Sequence, residues 1–340
     1  MSVAEASGLP TARRSGACGI WRTLHAAVRR TLIYAGKRLV LIAITTWMVS
    51  SIVFLLLHQL PGNAFLNENR QTAHELAAQL HHYGLDLPLR QQYLIWLEGL
   101  VRGDLGESLV NRDVKITPLL IRETSVSATV GAFALLVTVG LGLFLGCIAA
   151  LRQNMWVDYV ASSAAVVGYS VPGFVIAIFG LLFFGHYMYI WTQGIFFYQP
   201  GWGLPEQVPL PALALGLPYA GYVARLTRAS MLETIRADYV RTAWAKGLRA
   251  RAVVLRHALR NALIPVVTIL GPLITGIITG SVVVENIFGI PGLGKEFVTS
   301  ILARDYNITI GVFTFYAALV GLANLVVDVI YPMLDPRIRY

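Results

Sequence analysis

The sequence predicts an all-α integral membrane protein, and three observations carry that reading. Of its 340 residues 56% are hydrophobic and only 13% charged, where soluble domains carry roughly 25% charged residues; the mean hydropathy is +0.63. The apolar residues gather in uncharged runs of membrane-spanning length, about 18 residues or more. Lys and Arg collect in particular gaps between those runs, the asymmetry that orients membrane proteins. The net charge of +9 is therefore charge on one membrane face. It forms no continuous stripe, so nucleic acid is excluded as a partner.

In chain order, residues 1–38 form a basic N-terminal segment with Arg13, Arg14, Arg22, Arg29, Arg30, Lys37 and Arg38 against Glu5. Within it Trp21, Leu24, Val28 and Leu32 recur at helical spacing, which predicts an amphipathic helix on the inner membrane surface. The first span, 39–57, is too long for a signal-peptide core and ends in Leu60-Pro-Gly rather than a small-x-small site, so it is expected to stay uncleaved. Residues 58–123 form an acidic, helical outer region. One helix is expected around 72–82, and Asp86-Leu-Pro88 opens a second through about Val101, with Pro near its start. The core, 124–333, holds the further spans 124–151, 159–185, 208–232, 262–284 and 308–333, and 334–340 is a short tail. Pro172-Gly173 should bend the third span. Pro209, Pro211 and Pro218 punctuate the fourth, with Arg225 and Arg228 near its end, which makes it the weakest by hydropathy. Gly142-x-x-x-Gly146 and Gly276-x-x-x-Gly280 offer flat surfaces for helix approach.

Arg236, Arg241, Lys246, Arg249, Arg251, Arg256 and Arg260 crowd the loop 233–261, whereas the loop between spans three and four has no Lys or Arg. Six spans place that basic loop and both termini in the cytoplasm, with the acidic region outside.

The loop reads Asp238-Tyr239-Val240-Arg241-Thr242-Ala243-Trp244-Ala245-Lys246-Gly247-Leu248, then Arg256-His257-Ala-Leu-Arg-Asn-Ala-Leu-Ile-Pro265. Small residues ahead of a glycine suit a short helix, a sharp break and a second helix, with Ala243 on the contact face and Gly247 in a left-handed turn. This pattern resembles the "EAA" loop of ATP-binding-cassette importer permeases, in particular the B-type permease of the dipeptide/oligopeptide/nickel importer family. Trp244 stands where that family often has Arg. The resemblance extends over most of the chain beyond Leu39: Leu60-Pro-Gly, Gly103-Asp-Leu-Gly106, Glu285-Asn-Ile-Phe with Pro291-Gly-Leu-Gly294, and Asp335-Pro-Arg-Ile-Arg-Tyr340 also fit it.

It implies a type I importer-like permease fold whose loop docks on cytoplasmic ATPases through Asp238, Tyr239, Arg241, Ala243, Ala245, Lys246, Gly247, Leu248 and His257. The implied partners are a second permease subunit in a heterodimer, two ATPase subunits and an extracytoplasmic binding protein, in the plasma (inner) membrane. ATP and Mg would be bound by the partner subunits, with no cofactor in this chain and no catalysis by it. The substrate stays open among dipeptides, oligopeptides, nickel and other small solutes. The rival class is an ion-coupled secondary transporter, which needs buried acids or unwound helices at a midplane site.

Other motifs carry less. Gly289-Ile-Pro-Gly-Leu-Gly294-Lys295-Glu296 matches a phosphate-binding loop except that Glu296 replaces the Ser or Thr that ligates magnesium. His58, His74, His81 and His82 lack the spacing that converges on one ion. Asp328, the acid of the last span, is expected in a structural ion pair near Arg337. Cys18 and Cys147 lie in different environments and predict no disulfide.

Overall fold

Apolar helices with small-residue faces assemble around one central helix. The computed structural model describes residues 17–59, 73–111 and 113–334. Helix α1 spans Ala17–Gln59, α2 Ala73–His82, α3 Leu89–Arg102, α4 Ile116–Leu151 and α5 Trp156–Ser170. After the break at Val171-Pro172, α6 (Gly173–Gly180) runs through a π-helical turn at Leu181–Tyr187 into α7 (Met188–Trp191). Then come α8 (Pro209–Ile235), α9 (Asp238–Ala245), α10 (Ala250–Ala252), a π turn at Val253–Ala258, α11 (Leu259–Thr268), α12 (Leu270–Phe288), α13 (Leu293–Ala303) and α14 (Tyr306–Leu334).

Five of the described helical stretches are long and apolar enough to cross a membrane: Ile33–Gln59, Ile116–Leu151, Gly173–Trp191, Leu270–Phe288 and Tyr306–Val329. Their outer faces carry exposed apolar side chains, among them Leu136, Phe144 and Phe179. A surface of that kind is a liability in water and the expected lipid face in a bilayer. The fourth expected span is absent from the five on composition. It nevertheless forms as α8, 27 residues long, about 40 Å at 1.5 Å per residue.

Several boundaries move. The amphipathic segment and the first span are one unbroken 43-residue helix, not a separate surface helix and a span. The helix of the second span begins at Ile116 rather than 124 and carries Glu123 buried at 4% exposure. The fifth is divided at Ile269 between α11 and α12. Pro172 splits the third as its sequence requires. Pro88 caps α3, and Gly103 ends it at φ +76°.

The centre is α8. Its Ala212, Ala214, Ala220 and Ala224 are buried, and its neighbours meet it through glycines. A Cβ on Gly142 would lie 2.6 Å from Val223, one on Gly146 2.6 Å from the Ala224 carbonyl oxygen, and one on Gly221 2.3 Å from the Ala165 carbonyl oxygen. The first small-x-x-x-small pair therefore seats α4 on α8.

The turn from α12 to α13 explains the phosphate-loop likeness. Gly289 adopts φ +68° and ends α12. Glu285, fully buried, reaches across so that its Oε2 accepts hydrogen bonds from the Gly294 amide at 2.8 Å and the Lys295 amide at 3.2 Å. These are free amides of the first turn of α13, the groups a phosphate would need. They already hold the Glu285 carboxyl group.

Candidate functional site

The basic loop follows α8 after only two residues, Arg236 and Ala237. Helix α9 ends in a left-handed cap: Gly247 takes φ +73°, its amide donates to the Trp244 carbonyl at 2.9 Å, and the Leu248 amide donates to the Ala243 carbonyl at 3.4 Å. That six-to-one closure is the glycine-terminated helix end. Arg249 is then extended, and α10 opens directly after it. The result is a helical hairpin.

Its inner face is built from Val240, Ala243 and Val253, all buried. Val240 and Ala243 sit three residues apart, on the same face of α9. Ala243, expected on the contact face, packs at 5% exposure against Val240 and Val253 inside the hairpin. The hairpin is tied on its other side by Asn261, whose Nδ2 donates to the Tyr239 hydroxyl at 2.7 Å. Met231, Ala258, Ala262 and Ala150 then bind the returning chain to α8 and α4.

The outward face carries the remaining expected residues. Asp238, Arg241, Ala245, Lys246 and Gly247 are exposed, with Asp238 and Arg241 3.5 Å apart in a solvated pair. Apolar surface is exposed among them: Tyr239 at 43%, Trp244 at 47% and Leu248 at 40%. Arg249, Arg251, Arg256 and Arg260 are exposed as well and make the loop's surface cationic. His257 is half-buried in the π turn, beside an open hollow of about 710 Å3 shared with Leu255, Arg256 and Arg260. Aromatic and arginine side chains around a small apolar centre are the composition of a protein contact surface. Nothing in the hairpin pairs a nucleophile with a base.

Sequence reasoning missed what stands behind the hairpin. Asp158, in the first turn of α5 and 2% exposed, receives the Arg228 side chain of α8 in two parallel hydrogen bonds: Nε to Oδ1 at 2.7 Å and Nη2 to Oδ2 at 2.8 Å. Its signal lay in the sequence as an acid and a base closing spans three and four at the same membrane face. Arg225 is placed with its guanidinium 5.0 Å from the Tyr169 ring centre and 5.9 Å from that of Tyr222, a cation–π geometry. The charges that weakened α8 as a span are thus both accounted for by contacts. Asp328 meets Arg38 of α1 at 2.8 Å; Arg337, the expected neighbour, lies outside the described residues.

The histidines of the outer region have local contacts: His81 bonds Asp86 at 2.8 Å and His58 bonds the Phe54 carbonyl at 2.8 Å.

The fold and hairpin define a multi-pass helical membrane protein, and comparison with known proteins gives its class. The family model for binding-protein-dependent transport system inner membrane components matches residues 142–340. The dipeptide transport system permease protein DppB of Bacillus subtilis is 40% identical over 307 residues, covering 90% of this chain and 97% of that protein. The oligopeptide transport system permease protein OppB of Escherichia coli K12 is 39% identical over 298 residues, covering 87% of this chain and 95% of its own. Among solved structures, an inward-facing MetNI methionine ABC transporter shares the fold, with a TM-score of 0.53 at 16% identity, over 64% of this chain and 96% of that one. The chain belongs to the binding-protein-dependent transport system inner membrane component family, and the resemblance read from its loop stands.

Proposed function

We propose that this chain is the permease subunit of an ATP-driven importer of peptides or similar small solutes, and that the hairpin at 238–258 is where it couples to cytoplasmic ATPases. The observation that carries this reading is the exposed face of α9, where Trp244 and Leu248 stand out beside Gly247 among exposed arginines. A solvated loop has no need of such apolar surface; a cleft in a partner does. The relatives' names, dipeptide and oligopeptide permeases, support the substrate class.

In this reading α8, the fourth span in order, completes a set of six, both termini and the hairpin are cytoplasmic, and the chain pairs with a second permease to enclose the pathway. An extracytoplasmic binding protein delivers substrate. ATP binding and hydrolysis belong to the ATPases and shift the spans between two states through differential affinity for them. This chain does no chemistry.

The test uses the assembled transporter. Leu248→Asp places a carboxylate in the contact, and burying an unpaired carboxylate costs several kcal/mol, on the order of 3–5. The variant should insert and fold, then lose its ATPase subunits on co-purification or keep them and lose substrate-stimulated hydrolysis. Gly247→Val should act in the same direction, because a β-branched residue opposes the left-handed turn. Full stoichiometry and normal uptake in both variants, or uptake driven by a proton gradient without ATP, overturns the proposal and favours the ion-coupled class.

A further inference from the structure

The seam between α5 and α8 is held at three successive levels. Nearest the middle, the absent side chain of Gly221 lets α8 touch the α5 backbone, where a Cβ would sit 2.3 Å from the Ala165 oxygen and 2.7 Å from the Tyr169 amide nitrogen. Next, Arg225 lies over Tyr169. Last, about two turns before α8 ends, Arg228 grips Asp158 with its two-point fork. Asp158 is fully engaged: Oδ2 also accepts the Asn154 amide at 3.0 Å, and Oδ1 accepts the Ser162 hydroxyl at 3.1 Å. The α4–α5 turn is thus tied to the same carboxylate, with Asn154 held at φ +63°.

With Asp158 buried and Arg228 only partly so, the pair is a poor device for stability, since well-packed apolar residues serve as well or better. What a bidentate Arg–carboxylate pair adds is a single geometry, because two parallel bonds forbid both sliding and rotation. That geometry is imposed about two turns before α8 ends and the chain enters the hairpin. We propose that Asp158 and Arg228 form a rigid joint that makes α5 and α8 one lever behind α9, so that displacement of the hairpin is delivered to α5 and the α4–α5 turn rather than absorbed between helices. The inference rests on the coupling role proposed for the hairpin. Both are positioning residues, which touch neither nucleotide nor transported solute.

The experiment uses the full transporter, with its second permease, ATPases and binding protein, in lipid nanodiscs. Asp158→Asn and Arg228→Lys each keep a hydrogen bond and lose the two-point charged grip. They should retain subunit stoichiometry yet hydrolyse about tenfold or more ATP per solute imported. The neutral double variant Asp158→Asn/Arg228→Gln removes the unpaired charge, so it should recover the parent's melting temperature and stay uncoupled. Spin labels at Met155→Cys and Arg241→Cys, with native cysteines replaced by serine, should keep their separation within about 2 Å on ATP addition, the scale of small helix shifts. The distribution should broaden in Arg228→Lys.

An unchanged ATP-to-solute ratio in assembled single variants overturns the joint. So does recovery of both melting temperature and coupling in the double variant, which would make the pair a matter of stability alone. If no variant assembles, the label separation in the parent decides, and an ATP-driven change beyond that scale overturns the joint. Leu248→Asp, run in parallel, separates the two ideas. Loss of ATPases there with parent-like behaviour in Asp158→Asn sinks only the joint, whereas parent-like behaviour in Leu248→Asp sinks the coupling reading beneath it.

Discussion

On one side of the molecule helices meet backbone to backbone; on the other they leave room. Where α4, α5 and α8 converge, Gly142, Gly146, Gly216 and Gly221 bring chains so close that an added Cβ would collide with carbonyl oxygens or β-branched side chains. Where α12 and α14 face α1 and α4, glycines such as Gly311 and Gly321 meet the side chains of Ile116 and Ile42 rather than backbone, and gaps persist beside them. A groove of about 630 Å3 runs between α1, α12 and α14 past Thr45, Thr279, Phe313, Tyr316 and Asn324. A second cavity of about 260 Å3 lies between α4, α12 and α14, lined by Gly131, Leu135, Ile277 and Leu319. Packed cores do not deform continuously. The close-packed trio should therefore resist motion of its helices against one another more than the looser side does.

The largest expected effect attacks the tight side. Gly221→Leu drives a side chain into the Ala165 and Tyr169 backbone, which cannot step aside as a flexible side chain could. Overpacking ordinarily costs about 1–3 kcal/mol, and this site should meet or exceed the upper figure, read as a collapse of the melting temperature in detergent. A parent-like melt would show that α5 and α8 are not in backbone contact.

A smaller effect, of opposite sign on the two sides, sharpens the contrast. Gly131→Ala adds a methyl group beside the smaller cavity, at an ordinary 3.7 Å from Ile277. Relief of helical glycine should stabilise the protein by about 0.5–1 kcal/mol. The same change at Gly146 puts the methyl 2.6 Å from the Ala224 oxygen and should destabilise. Thermal melts of the two variants side by side decide it; two shifts of the same sign would erase the distinction.

The smallest effect belongs to Glu296 on α13. Burial raises its carboxyl above the usual carboxylate range, against an opposing hydrogen bond from Thr299. The unfolded chain therefore releases this proton first as pH rises. Stability should decline from the ordinary carboxylate pKa upward through the raised one, and be greatest below both. Glu296→Gln should flatten that slope in melts taken between pH 4 and about 7. An identical slope in the variant would place the carboxyl in open water.

What was legible in the sequence follows the same division. Spans set by hydropathy alone, as in α1, α4 and α14, could be read from apolar length because lipid contact needs nothing else. Gly247 and Pro88 could be read because a left-handed turn and a helix start are local constraints. Helix α8 was the weakest of the expected spans because its credentials are tertiary: Arg228 is tolerable only beside Asp158, and Arg225 only beside Tyr169 and Tyr222. The inward turn of Ala243 was hidden for a related reason. An alanine suits a buried face and an exposed one equally, and only the position of Val253 separates them.

The carboxyl group of Glu285 binds three positions into one unit of descent. A Cβ at Gly292 would fall 2.5 Å from its Oε2, and one at Gly294 2.5 Å from the Val282 Cα. Neither glycine can change while the acid stays, and the acid cannot shorten without stranding the amides of Gly294 and Lys295. Every single-step route away from this turn passes through a less stable chain. The three positions therefore depend on one another through packing and hydrogen bonding alone.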